Sequence, residues 1–265
     1  MEISYEDMLE AGVHFGHQQK RWNPKFGPYL YQHLHRISII DLERTRECLE
    51  AACRFLSEEV KKGSTVLFVG TKRPAQGIVR ETAKAVSMPF CVDRWLGGCL
   101  TNFETIRRSL AKYSRFRAME ESGELAKMLK KEASVIRREM TRMHRGFEGI
   151  QELNRLPDIL FVVDVNTEII AVREARRLNI PVVAIVDTNS DPTLVRYPIP
   201  ANDDSTRSLQ LLMESVQAAI GQGLEYRNRD QARKEILTLP QRSESRQNRA
   251  TVSEVPAAEA TDVGA

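Results

Sequence analysis

The chain has 265 residues, 42% hydrophobic and 28% charged, with a formal net charge of +3. That is enough for one α/β domain with an appendage or for two small domains, and the composition is that of a globular protein. No apolar run approaches the roughly 20 residues of a membrane helix, and four cysteines without C-x-x-C spacing form neither a disulfide framework nor a zinc knuckle.

The start, "MEISYEDMLEAG", is acidic and lacks the pattern of a signal or transit peptide, so a cytoplasmic setting is expected. The window Ala11–Ile40 then holds four Lys/Arg and no acid. Its centre, "HFGHQQKRWNPKFGPYLY", interleaves cations with aromatics and turn formers. Phosphates meet Lys/Arg and bases meet flat side chains on nucleic-acid surfaces, and this stretch fits one. Periodicity assigns it no regular element, so it is expected to drape over a sheet. His14 and His17, three apart, would suit metal binding only on a helix, and Gly16 with the Gly and Pro beyond it argues against a regular helix there.

"ISIID" (37–41) reads as a strand, and apolar positions from Leu49 to Val60 read as a helix. "TVLFVG" (65–70), "ILFVVD" (159–164) and "VVAIVD" (182–187) are short β-branched runs, the pattern of parallel strands buried on both faces. "PFCVD" (89–93) is a weaker strand. Helical patterns cover 71–86 and 166–178, and one running from Leu209 to Ile220 has Ser205 as its N-cap. Alternating strand and helix predicts a doubly wound parallel sheet.

The loop "VGTKRPAQG" (69–77) matches neither the phosphate-loop nor the dinucleotide pattern. Thr71, Lys72 and Arg73 nevertheless stand where a helix start attracts phosphate. "RWLGGCLTN" (94–102) sets a cation and an indole beside flexible glycines, with Thr101 and Asn102 as capping residues. Between Phe103 and Ile150 there is no strand candidate. Phe103, Ile106, Leu110 and Tyr113 step by three and four, and Leu125, Leu129, Ile136, Met140, Met143 and Phe147 resume the stepping beyond Ser122-Gly123. Two helices around a tight turn would form a protruding antiparallel coiled-coil hairpin. Its first arm carries Arg107, Arg108, Lys112, Arg115 and Arg117 without an acid from Thr105 to Met119.

Gln151–Ser205 has nine acids against five bases. Asp41, Asp164, Asp187, Asp191, Asp203 and Asp204 follow strands or turns, where Asp ordinarily caps or shapes the turn. Asp187 and Asp203 are weak candidates for a structural divalent ion. No resident metal, cofactor or small-molecule substrate is expected. A magnesium-dependent phosphoester enzyme using Asp164, Asp187 and Asp203 is the rival reading. It lacks a nucleophile, a phosphate loop and a matched acid/base pair. A receiver-type regulatory module would need neither the basic arm nor the hairpin. From about Pro240 the polar composition predicts disorder.

"AGVHFGHQ", "RWNPK", "LFVGTKR", "RWLGGCLTNF", "LPDILFVVD", "EIIAVREARRLNIPVVAIVDTNSDP" and "NDD" occur in one chain in this order. Over about Ser4 to Gly221 the sequence resembles the bacterial family of second proteins of the small ribosomal subunit. The resemblance implies a flavodoxin-like parallel sheet with a projecting coiled-coil hairpin and no enzymatic activity. It also implies binding to small-subunit ribosomal RNA, late incorporation during assembly, and docking of the large first protein that recruits messenger RNA. Two departures stand out. Ala201 replaces a glycine common before "NDD", and "YQHLHR" replaces a polar turn before "ISIID".

On this reading the expected segments are 1–102, the first part of the α/β domain with its basic arm; 103–150, the hairpin; 151–226, the second part; and 227–265, a disordered tail. The expected RNA contacts are Lys20, Arg21, Trp22, Asn23 and Lys25 in the arm, then Lys72 and Arg73. Arg94, Thr101 and Asn102 follow near the hairpin base, with Arg107, Arg108 and Lys112 along its first arm. Trp22 should lie near RNA, Phe15 and Tyr29 should face the core, and the acidic 151–205 region should face protein partners.

Overall fold

The computed structural model describes residues 3–151 and 153–238. Contacts divide the chain at Asn228 into two units, Met1–Asn228 and Arg229–Ala265. In the first unit, helix α1 (Tyr5–Glu10) starts on a capping box, with Ser4 and Asp7 satisfying each other's backbone N–H groups. Strands β1 (Phe15–Gln18), β2 (Leu30–Leu34) and β3 (Ile37–Ile40) form an antiparallel sheet in the order β1-β3-β2. Two short 3-10 turns, Gln19–Arg21 and Pro24–Tyr29, link β1 to β2.

This corrects two expectations. "ISIID" is the centre of a small antiparallel sheet, not a strand of the parallel one, and the basic stretch has regular elements. Gly16 shows how the arm is held. A Cβ there would fall 2.4 Å from the Thr188 side chain, and the next residue, His17, donates its N–H to Thr188 Oγ1 at 2.9 Å. The β2–β3 hairpin turns through His35 and Arg36, both in the left-handed region at φ 49° and 68°. A two-residue turn of this hand suits the strand twist but favours Asn-Gly.

Helix α2 (Leu42–Lys61) is capped by Asp41, whose Oδ1 accepts from Glu43 N–H. Strand β4 (Val66–Val69), helix α3 (Arg73–Ala85) and strand β5 (Phe90–Cys91) follow. Helices α4 (Phe103–Glu121), α5 (Glu124–Lys127) and α6 (Lys130–Phe147) precede strand β6 (Ile159–Val163). Helix α7 (Ile169–Arg177), strand β7 (Val182–Val186), strand β8 (Tyr197–Pro200) and helix α8 (Thr206–Thr238) complete the order.

The five-stranded sheet is parallel throughout, ordered β5-β4-β6-β7-β8. Numbered along the sheet's own strands this is 2-1-3-4-5, the flavodoxin-like winding. β8, "YPIP", has no sequence signature of a strand. Its prolines are tolerated because it is an edge that pairs only with β7. The central strands are buried throughout, and successive side chains alternate between two cores. Phe68, Phe161 and Ile185 face one core with α2, α3 and α8, while Leu67, Leu160 and Ala184 face a second core with α7 and the bases of α4 and α6.

α4 and α6 run antiparallel, joined by Lys112–Glu139 at 2.6 Å, Arg137–Glu120 at 3.5 Å and Tyr113 Oη–His144 Nδ1 at 2.8 Å. Leu110, Tyr113 and Phe147 are buried as the stepping predicts, but Leu129 is solvent-exposed at the start of α6. Ala201 is fully buried at ordinary φ, so this turn needs no glycine. Ser205 Oγ accepts from Ser208 N–H and caps α8. That helix continues to Thr238, past residue 227, where the tail was expected to begin. Arg, Gln, Ala, Lys and Glu between 227 and 238 are good helix formers and extend it. The remainder of the expected tail, 239–265, lies outside the described residues.

Candidate nucleic-acid interface

The expected contact residues occupy turns and helix starts. Lys20 and Arg21 are exposed on the first 3-10 turn. Asn23 is held twice: its N–H donates to Thr188 O at 2.8 Å and its Oδ1 accepts from Lys25 N–H. Trp22 is half-buried, meets His33 edge-on at 5.2 Å, and has no partner for its indole N–H. Phe26, not Phe15, anchors the arm. Phe26 is fully buried in the second core, whereas Phe15 is 47% exposed. Tyr29 is half-buried against that same core.

Arg94 is exposed in the "RWLGG" loop, and Arg107 is exposed on α4. Neither forms an ion pair among the described residues. Arg108, Lys112 and Lys25 are paired with Glu104, Glu139 and Asp191 at 2.8, 2.6 and 2.5 Å. Exposed pairs of this kind are weak and exchange readily for phosphate. Asn102 is the N-cap of α4 and its Oδ1 accepts from Thr105 Oγ1. Arg73 is exposed at the first turn of α3.

Two residues of these segments are enclosed rather than presented to solvent. Trp95 is buried, and its indole N–H donates to Glu174 at 3.1 Å. Glu174, on the buried side of α7, also accepts from the N–H groups of Gly98, Leu100 and Thr101 and from Thr101 Oγ1. Burial opposes its ionisation, but these donors outweigh burial and hold its carboxyl below the usual value. One carboxylate therefore shapes the whole loop, with Gly98 in the left-handed conformation at φ 85°. The only sequence signal was an acid on an otherwise apolar helix face.

Lys72 is the second. It is 19% exposed and its Nζ meets Asp203 and Asp204 at 2.5 Å each and Asp164 at 3.3 Å. Burial would lower its pKa, yet these carboxylates raise it. A lysine enclosed by three acids presents no net positive charge to phosphate, so the structure does not bring Lys72 to the expected face. This cluster lies beyond the carboxyl ends of β4, β6, β7 and β8, where open α/β sheets bind ligands.

His17, Asp187, Asp203 and Asp204 complete it, with donor atoms within 4.8 Å of one another. His17 Nδ1 lies 2.9 Å from Asp187 Oδ2, and that hydrogen bond raises its pKa above the ordinary value. Asp203 is fully buried and its Oδ2 has no partner. Burial first, then Asp187 and Asp164, push its carboxyl well above the usual range. Lys72 and Asp203 both shift upward because one ammonium cannot offset this many carboxylates. One imidazole and three carboxylates are a donor set suited to a divalent ion such as zinc or manganese. A hydroxyl adjoins the cluster: Thr188 Oγ1 donates to Asp187 Oδ1 at 3.0 Å and accepts from His17 N–H at 2.9 Å.

A doubly wound parallel sheet carrying a basic arm and a helix pair on one side defines an α/β protein of the flavodoxin-like class. The comparisons with known proteins sharpen this. The sequence profile described as Ribosomal protein S2 matches residues 8–223. The small ribosomal subunit protein uS2 of Opitutus terrae is 53% identical over 86% of this chain and 76% of its own length. Those of Coprothermobacter proteolyticus and Thermus thermophilus are 48% and 50% identical, over 85% and 80% of this chain and 84% and 83% of theirs. The chain belongs to the Ribosomal protein S2 family. Its members are structural components of the small ribosomal subunit in translation and not enzymes.

Proposed function

We propose that this protein binds small-subunit ribosomal RNA in the cytoplasm through its arm, its "RWLGG" loop and its paired helices, and that it docks the large first protein of the subunit. The observation that carries the RNA reading is the second core. Trp22 and Phe26 from the arm, Trp95 and Leu100 from the loop, and Leu110 and Phe147 from the helix pair all pack into it. The three cation-bearing elements therefore share one side of the parallel sheet. Lys20, Arg21, Arg94 and Arg107 are exposed there without ion pairs among the described residues. Their contacts are to phosphate and sugar, which fix orientation.

The small antiparallel sheet supports the docking reading. Tyr31 is 68% exposed, and Phe15 and Leu34 are each 47% exposed. Both β1 and β2 are edge strands. Exposed apolar side chains beside unpaired strand edges suit a protein partner. The acidic corner at Asp204 lies near His17 on β1, so an RNA backbone is disfavoured there.

Sedimentation of lysate tests the reading. The protein should co-migrate with small ribosomal subunits, and Lys20→Glu with Arg21→Glu should reduce that fraction. Migration apart from the subunits would overturn it.

A further inference from the structure

A cleft of about 740 Å³ opens between the "RWLGG" loop, α4 and α6. Its floor is apolar: Leu96, Met143 and the buried Phe147. The floor exists because α6 approaches the loop at Gly146, where a Cβ would come within 3.1 Å of Leu96. Its rim is cationic, with Arg94 from the loop, Lys112 from α4, and Arg142 and Arg145 from α6.

The two acids in the lining are already faced by cations. Glu139 is held by Lys112 at 2.6 Å, and Asp93 faces Arg80 at 3.8 Å. Arg94, Arg142 and Arg145 form no side-chain hydrogen bond or ion pair among the described residues, so three guanidinium groups stand unbalanced around an apolar floor. A surface that met phosphate alone would have no use for that apolar floor. A single unstacked nucleotide satisfies both parts. Its base covers apolar surface and stacks against planar guanidinium groups, while its flanking phosphates meet the rim. The volume falls within the range of small-ligand clefts.

We propose that this cleft receives one unpaired, extruded nucleotide of the bound RNA. This rests on the RNA-binding reading above and specifies what that surface selects: a bulge or loop nucleotide rather than uniform helix. Arg142 and Arg145, which sequence patterning passed over, become contact residues.

The test uses the full chain and two RNA hairpins of equal stem length, one fully paired and one with a single bulged 2-aminopurine. The protein should prefer the bulged hairpin by about tenfold, equivalent to about 1.4 kcal/mol, and the 2-aminopurine fluorescence should change on binding. Met143→Ser should reduce the preference below about threefold while leaving affinity for the paired hairpin unchanged. Arg142→Gln with Arg145→Gln should lower the salt slope by about one to two units. As a check independent of any variant's folding, 4-thiouridine at the bulge should crosslink to residues 142–147.

Equal affinity for the two hairpins, or crosslinks confined to other segments, would overturn the inference while leaving RNA binding standing. Preference for a Glu-rich peptide bearing one leucine over both hairpins would assign the cleft to a protein and also overturn it. Absence of binding to either hairpin and to small-subunit RNA would overturn the RNA-binding reading itself.

Discussion

Glu174 is the residue on which the loop depends. Five donors converge on it from Trp95 to Thr101. Its folded pKa is depressed, so its contribution is fully present above the unfolded carboxylate value of about 4.5 and is lost as pH falls through the lower, folded value. Glu174→Gln should cost about 2–3 kcal/mol at pH 7, because buried N–H groups lose charged acceptors. The variant's stability should also be flatter below pH 5. Urea unfolding at pH 7 and pH 4 checks both, and parallel acid dependence in the two proteins would contradict the assignment. At the hairpin turn, His35 and Arg36 hold left-handed conformations that cost non-glycine residues stability. His35→Asn with Arg36→Gly should raise the urea midpoint by about 1 kcal/mol equivalent at unchanged m-value. In the acidic cluster, the fully buried Asp203 Oδ2 lacks a partner. Added zinc should therefore raise the thermal midpoint of the intact chain, and Asp203→Asn should abolish the rise. No rise in the parent protein would exclude zinc there.

Among the elements, α4 carries the first of the proposed RNA contacts. Arg107 is free of ion pairs among the described residues, while Arg108 and Lys112 are tied to Glu104 and Glu139 on the surface. Such ties are worth about 0–1 kcal/mol and yield to a polyanion. Arg107→Glu with Arg108→Glu should lower the salt slope of RNA binding by about one unit per lost phosphate contact. Stability should change by less than about 0.5 kcal/mol, because neither side chain is buried. An unchanged slope would remove α4 from the RNA surface. The arm is the opposite case. Phe26 is buried in the second core and Gly16 lies against Thr188, so this segment is built into the domain and its cations are presented on fixed turns. Local pattern reading could not see this, because the contacts of Gly16, His17 and Asn23 with Thr188 span well over a hundred residues of sequence.

At the scale of the molecule, the parallel sheet separates two chemistries. One side, with α2, α3 and α8, is an ordinary covered core; the other collects the arm, the loop and the helix pair. At the carboxyl edge the acids gather around Lys72 and His17. Of the nine acids in Gln151–Ser205, Asp164, Asp187 and Asp203 are buried and turned toward Lys72 and His17, and Glu174 is taken up by the loop. Among the described residues no helix is long and apolar enough to cross a membrane.

The amino-acid sequence alone was enough for the doubly wound class, the three central apolar strands, the helix pair and the family. Continuous β-branched runs and 3.6-residue stepping are local signals of burial, and the quoted motifs are specific. It misread "ISIID" and missed β8, because a strand's partner is chosen by distant residues and "YPIP" carries no alternation. Tertiary structure alone decided that Lys72 is neutralised, that Trp95 is a core residue, that Glu174 shapes the loop and that His17 joins Asp187. Each outcome depends on a carboxylate brought from far along the chain, and charge in a folded protein is set by what surrounds a group in space.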